Sequence, residues 1–404
     1  MLKTFNFEKL PIVEIVNEII IDATKNRASD IHIDPFNDVL KIRIRIDGTL
    51  IDYATVPNDY KKNLVTRIKI IAGMNITENR LPQDGAIKTS LNGIPLDMRV
   101  SSLPTNNGEK IVIRILDYSM SIQGLEQLGF TKDNFEKIMK MINLPNGIIL
   151  VTGATGTGKS TTVYSILQRL NREEANVITV EDPVEMDIPG VNQVQVNSEI
   201  GLTFANVLRS ILRQDPDIIM IGEIRDDETA TIAVRASVTG HLVLSTIHTN
   251  NSLNTIERLL DMEVERYLLA ASLSGIISQK LARKLCPHCR KKITPTPYEK
   301  YLFKKNLGID LNEIYVAGDG CDNCMNGYRG RIAIHEVLLI DEDIRDAISN
   351  NVRKEDLRKL VYSENVHTLL QDGLIKVAQG LTSFEEIIKL IELDVEDIVI
   401  PKGE

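Results

Sequence analysis

The chain has 404 residues, enough for two or three domains with a substantial core, and its 25% charged and 43% hydrophobic side chains are ordinary for a soluble globular protein. A net charge of −9 and the absence of tryptophan weigh against a dedicated nucleic-acid binder, which needs basic surface and stacking aromatics. No apolar run approaches the roughly 18 residues of a membrane span, and Glu8, Glu14 and Glu18 interrupt any secretory leader, so the chain reads as cytosolic with only peripheral membrane contact.

Residues 1–118 read as a small α+β domain. Ile12, Ile15, Val16, Ile19, Ile20 and Ala23 share one face of a helix. Leu40, Ile42, Ile44 and Ile46 alternate with Lys41, Arg43 and Arg45, as in a half-buried strand. Asp47-Gly48 and Asn92-Gly93 signal hairpin turns. Leu96, Met98 and Val100 alternate again, with Arg99 on the opposite face. Residues 119–124 read as a linker.

Residues 125–285 read as a nucleotide domain. Apolar runs at 148–151, 177–180, 218–221 and 242–247 end at Gly153, Glu181, Gly222-Glu223 and His248. In an open parallel α/β sheet, ligands bind beyond the carboxyl ends of the strands, so these four places form one candidate site.

The sharpest motif is Gly153-Ala154-Thr155-Gly156-Thr157-Gly158-Lys159-Ser160, followed by Thr161. It fits the phosphate-binding pattern G-x-x-x-x-G-K-[ST]. A strand precedes it, and Val163, Ile166, Leu167 and Leu170 follow at helical spacing. Backbone N–H groups and the helix N-terminus can then hold phosphate. Lys159 reaches the β- and γ-phosphates and Ser160 binds Mg²⁺, so ATP and Mg²⁺ are the implied cofactors.

Glu223 can reach the Mg²⁺ shell and orient a water for in-line attack; the alternative is a strand-end pair with Arg225. Glu181, Asp182 and Glu185 form a second acidic group, suited to metal or water, or else a solvated loop stiffened by Pro183. His248 is placed to sense the γ-phosphate or to bond the catalytic carboxylate. His241 divides evenly between site and structure. Arg99, Arg114, Arg209 and Arg213 can stabilise transition-state charge, although each taken singly suits a surface ion pair.

Cys286, Cys289, Cys321 and Cys324 are the only cysteines, two C-x-x-C pairs 31 residues apart in a segment, 286–330, that reads as an insert. Four thiolates point to a closed, structural Zn²⁺ site, and disulfides do not suit a cytosolic chain. His288 is an alternative ligand. Residues 331–404 read as mainly helical, with Thr382-x-x-Glu385 as a capping box before Ile387, Ile388 and Ile391.

Ordered motifs extend this reading. They are R-I-R-I-D-G (43–48), R-L-P-Q-D-G (80–85), R-V-S-S-L-P-T (99–105), the phosphate loop, I-T-V-E-D-P-V-E (178–185), L-R-Q-D-P-D-I-I-M-I-G-E-I-R-D (212–226) and T-G-H-L-V-L-S-T-I-H-T-N (239–250). Over nearly the whole chain they resemble the type II secretion and type IV pilus assembly ATPases. The resemblance implies a RecA-like P-loop ATPase core, an N-terminal α+β (PAS-like) domain, a tetracysteine zinc insert and a helical C-terminal region. It implies a homo-hexameric motor at the cytoplasmic face of the inner membrane. There an N-terminal domain swings against the core and drives an inner-membrane platform protein, with no stable nucleic-acid binding. By residue match, Glu223 is the Walker B glutamate, Glu181 the acidic-box glutamate and His248 the histidine-box residue. Arg99, Arg114, Arg209 and Arg213 match arginines that the family places around the nucleotide. The paired cysteines resemble the assembly and secretion branch. Many members carry a further N-terminal domain, whereas this chain begins almost directly at the R-I-R-I-D-G domain. A hexameric DNA translocase is a rival that needs a basic channel. A non-hydrolysing nucleotide sensor is a second rival, opposed by the intact Lys159, Ser160 and Glu223.

Overall fold

The computed structural model describes residues 3–91, 94–116, 124–363 and 366–391. The Asn92-Gly93 turn and all but Gly124 of the expected linker lie outside the described residues. Two compact units make up the chain, Met1–Ser121 and Ile122–Glu404.

In the first unit, helix α1 (Ile12–Lys25) buries Ile15, Val16, Ile19, Ile20 and Ala23. Strands β1 (Ala28–Pro35), β2 (Val39–Ile46) and β3 (Thr49–Pro57) form one meander, and helix α2 (Asn58–Ile71) follows. Strands β4 (Gln83–Leu91), β5 (Ile94–Thr105) and β6 (Gly108–Leu116) form a second. Pairing of β1 with β6 joins them into an antiparallel sheet of order β3-β2-β1-β6-β5-β4. Burial alternates residue by residue along β2, as its sequence pattern requires. Asp47 and Gly48 hold φ of 48° and 84°, the left-handed pair of a type I′ hairpin. Residues of α1, α2 and the inner sheet face share one apolar core.

The second unit opens with helix α3 (Lys132–Ile142), strand β7 (Gly147–Thr152) and helix α4 (Lys159–Leu170). Next come β8 (Val177–Glu181), β9 (Asn192–Gln195), α5 (Phe204–Ile211), β10 (Ile218–Ile221), α6 (Asp227–Val238) and β11 (Leu242–Ile247). Then follow α7 (Ser252–Asp261), α8 (Arg266–Ser272) and the long strand β12 (Leu273–Leu285). Strand β13 (Lys291–Ile293), helix α9 (Pro297–Leu307) and strand β14 (Ile314–Val316) precede β15 (Tyr328–Leu339). Helices α10 (Glu342–Ser349), α11 (Lys354–Val361), α12 (Leu369–Ala378) and α13 (Phe384–Leu390) complete it.

The main sheet has the order β15-β12-β7-β11-β10-β8-β9. Its pairs are parallel except at β15, which runs antiparallel along β12. Strands β7, β8, β10 and β11 are buried at every position, as continuous apolar runs must be when both sheet faces are covered.

Two features differ from the sequence reading. Residues 331–339, the start of the region expected to be mainly helical, complete strand β15. Ile332, Ile334 and Val337 give the stretch β-branched character, and β12 supplies a long antiparallel partner, from Gly275 opposite Leu339 to Leu285 opposite Tyr328. The cap of α13 is Ser383, whose hydroxyl accepts the Glu386 N–H at 3.3 Å. Thr382 is buried and donates to the Arg283 carbonyl at 2.8 Å, which leaves the next residue to cap.

The insert shares its apolar packing with the chain's C-terminal helices. Leu302 and Phe303 of α9 pack with Leu369, Leu374, Phe384 and Ile387. Ile344, Ile348, Leu357 and Val361 of α10 and α11 instead join the core of the main sheet. A segment of about 45 residues with one short helix is too small to enclose a core alone.

Candidate active site

The phosphate loop bridges the end of β7 and the start of α4. Gly158 caps α4 in the left-handed region, φ 88°, which a side chain there would strain. Gly153 has φ 151°, and a Cβ on it would stand 2.5 Å from the Gln279 carbonyl oxygen of β12. Ala154, Thr155, Gly156 and Ser160 are exposed, with Thr157, Gly158 and Thr161 partly so. Lys159 is buried and folded back over the loop, donating from Nζ to Gly153 O at 2.8 Å and Ala154 O at 3.1 Å. Burial pulls its pKa below the usual lysine value, against the opposing pull of the Glu223 charge.

Register aligns the neighbouring strand ends: Val180 and Ser245 both face Ile221, and Ile247 faces Thr152. Glu223 follows β10 by two residues. The turn is fixed by Thr246 Oγ1 donating to Gly222 O at 2.7 Å and by Ile224 N–H donating to Thr246 O at 2.9 Å. The mostly buried Glu223 carboxylate pairs with Arg225, the alternative weighed from sequence, and also meets His248 Nε2 at 3.3 Å. Arg225 reaches on to Asp182 at 3.7 Å.

Glu181 ends β8 and is 3% exposed. It accepts bonds from Tyr164 Oη, from Thr179 Oγ1 at 2.6 Å and from Gln193 Nε2 at 3.0 Å. Burial and the Glu181 charge raise the Tyr164 pKa. As placed, Glu181 braces α4 against β8 and β9. These donors occupy three of the carboxylate's roughly four acceptor sites. The Glu185 N–H donates to Tyr164 Oη at 3.2 Å, so the acidic loop is tied to α4 as well.

The remaining candidates lie on other elements. Arg209 pairs with Glu228, and Arg213 donates to Arg209 O at 2.6 Å and to Ser210 Oγ at 3.2 Å. These partners belong to α5 and α6. Arg99 and Arg114 lie in the first unit as cross-strand neighbours, and Arg114 donates to Asp30 at 3.1 Å. His241 precedes β11, at the opposite strand end from His248, and its Nδ1 lies 2.8 Å from the Ala236 carbonyl.

The four cysteine sulfurs lie within 4.8 Å of one another. Cys286 and Cys321 are 3.8 Å apart, as against 3.6 Å for Cys289 and Cys324. Tetrahedral thiolates at about 2.3 Å from zinc are about 3.8 Å apart, so the set fits Zn²⁺. His288 is exposed and lies outside the group.

A family model for Type II/IV secretion system proteins matches residues 6–389. The chain belongs to that family. The type II secretion system ATPase E of Vibrio cholerae serotype O1 is 44% identical over 381 residues, spanning 94% of this chain and 75% of that protein. The type IV pilus assembly ATPase PilB of Thermus thermophilus is 45% identical over 380 residues, 93% of this chain and 42% of that protein. A crystal structure of the pilus retraction motor PilT with bound ADP superposes with a TM-score of 0.64 at 27% identity, covering 96% of this chain and 99% of that one. Among the described residues, no helix is long and apolar enough to cross a membrane.

Several residues around the site were not singled out from sequence. Gln279 of β12 is 1% exposed, donates to Thr157 O at 2.7 Å and accepts from Thr162 Oγ1 at 2.8 Å, so it ties the phosphate loop and the first turn of α4 to β12. Thr152 Oγ1 donates to Thr249 O at 2.8 Å and accepts the Thr249 N–H at 3.1 Å, tying the His248 loop to β7. The available signal for Gln279 was a polar pair, Ser278-Gln279, directly after the apolar Ile276-Ile277.

Proposed function

We propose that this chain is a motor ATPase that hydrolyses ATP to drive type IV pilus or pseudopilus assembly, or type II secretion. The observation that carries the reading is the convergence of Lys159, Ser160, Glu223 and His248 at the carboxyl edge of one parallel sheet. The names of the aligned relatives, two of them secretion or pilus assembly ATPases, support the same activity.

In this reading the N–H groups of residues 153–161 cradle the phosphates. Lys159 exchanges its two loop carbonyls for β- and γ-phosphate oxygens. Ser160, exposed in the first turn of α4, would hold Mg²⁺, which neutralises phosphate charge when bound. Glu223 orients the attacking water, and His248 links that carboxylate to the presence of the γ-phosphate. Glu181 holds α4, and with it Lys159 and Ser160, in place. Arg99, Arg114, Arg209 and Arg213 supply positive charge to the transition state within a homo-hexamer. Cys286, Cys289, Cys321 and Cys324 would hold a structural Zn²⁺. The motor works at the cytoplasmic face of the inner membrane against a platform protein, without stable nucleic-acid binding.

Phosphate release from ATP with Mg²⁺ tests this, on oligomers of defined size. The intact chain is expected to turn over, and Lys159→Ala to lose both nucleotide affinity and turnover. Tight ATP binding without phosphate release by the intact hexamer would sink the hydrolytic reading.

A further inference from the structure

Strand β15 carries a carboxylate that the chemistry above leaves unused. Glu336 is 2% exposed and lies at the starts of two helices. It accepts the N–H of Ser252, the first residue of α7, at 2.8 Å. The N–H of Leu369, the first residue of α12, also favours its charged form. The hydroxyls of Ser252 and Ser278, 3.2 Å apart, do the same. Helix dipoles favour a negative group at such a point. Burial nevertheless pushes the carboxyl above the usual glutamate range, against the pull of these donors.

Helix α7 follows directly on the loop that carries His248. Asn251 caps the helix by accepting the Asn254 N–H at 2.9 Å. Thr249 Oγ1 lies 2.7 Å from Thr255 Oγ1 in the first turn. The loop therefore hangs between two anchors, Thr152 at the end of β7 and the start of α7. Glu336 holds the second anchor from 84 residues away in sequence.

We infer that Glu336 is a positioning residue for the His248 loop, fixing the start of α7 and so the placement of His248 against Glu223. Strand β15 also holds α12 through the neighbouring residue, the His335 N–H donating to Asp372 of α12 at 2.8 Å, and α12 shares its core with the insert helix α9. A shift of α12 therefore moves the loop's anchor, and the cysteine-bearing segment is mechanically tied to the hydrolytic groups. This inference rests on the reading of Glu223 and His248 as groups that act in hydrolysis.

Glu336→Gln tests it in the full chain. The amide keeps the shape but turns an NH₂ towards at least one of the donors. The expected result is a kcat lower by roughly 10–100-fold, the scale of a small misplacement at a reacting centre. Affinity for a fluorescent ADP analogue should stay within about threefold, because the phosphate loop is untouched. A His248→Ala, Glu336→Gln double variant should turn over no more slowly than His248→Ala alone. An unchanged kcat overturns the proposal. So does a joint fall of affinity, kcat and melting temperature, or a double variant in which the two losses multiply. A His248→Ala chain that turns over like the intact one overturns it through its premise, and that single-variant arm identifies the cause. Should Glu336→Gln fail to fold, Ser278→Ala removes one donor, with an expected fall in kcat of about threefold at unchanged affinity. No fall there also overturns it.

Discussion

His248 Nε2 stands 3.3 Å from one oxygen of Glu223, while Arg225 holds the other. The carboxylate proposed to orient water is thus gripped from both sides at the end of β10. His248 is half exposed and can meet a bound phosphate. His248→Ala is expected to lower kcat about 10–100-fold, the range of a positioned polar group, with nucleotide affinity little changed. Steady-state phosphate release together with an ADP titration checks this. Equal loss of both would place the histidine in binding.

Gln279 makes one hydrogen bond to the phosphate loop, at Thr157, and one to the first turn of α4, at Thr162. Gln279→Ala removes both and leaves buried polar groups facing a void. A loss of about 1–3 kcal/mol follows for the loop's nucleotide-ready form. That corresponds to roughly 5- to 150-fold weakening of ATP affinity. Calorimetric titration is the check, and affinity equal to that of the intact chain would mean that the glycines alone hold the loop.

At the cysteine cluster, a Cβ on Gly318 would stand 1.9 Å from the Cys289 carbonyl oxygen. Gly318→Ala should displace the first knuckle and lower zinc retention from about one ion per chain. Cys321→Ser should do the same by removing a ligand. In both variants the melting temperature should fall, since the cluster lies on the segment whose helix α9 packs with α12 and α13. Elemental analysis after gel filtration reads the metal. Full zinc in Cys321→Ser would remove that residue from the ligand set.

Glu386 of α13 pairs with Arg283 of β12, its Oε2 accepting from Arg283 Nε at 2.9 Å. Burial opposes its ionisation, but Arg283 outweighs that and holds the carboxyl below the ordinary glutamate value. The bond therefore stabilises the fold above the unfolded-state pKa of about 4.3 and is lost as pH falls through the lower folded value. Glu386→Gln should be less stable at neutral pH by about 1–3 kcal/mol, and the gap to the intact chain should narrow on acidification below pH ~4. Urea unfolding at a series of pH values measures it. A gap independent of pH would assign the loss to packing.

The legible part of this site is the part encoded in short stretches. A strand, a Gly-rich turn and a helix follow one another at 147–170, so Lys159 and Ser160 can be read in place. Glu223 and His248 are legible because each ends an apolar run, and parallel strands present their carboxyl ends together. The cysteines are legible through spacing alone. Gln279, by contrast, acts on Thr162 across 117 residues, and Glu336 acts on Ser252 across 84. No local pattern records such pairings. Strand β15 was hidden for a similar reason, since its partner β12 lies beyond the whole insert. Glu181 shows the opposite limit: its position at a strand end was readable, but its enclosure by Tyr164, Thr179 and Gln193 was not.

The most direct test is the fate of ATP on Glu223→Gln, in the presence of Mg²⁺ and on oligomers matched in size to the intact chain. The account predicts ATP affinity within about threefold of the intact protein and phosphate release reduced by roughly 10²–10⁴-fold. Phosphate release within twofold of the intact rate would contradict it and move the catalytic role away from the end of β10.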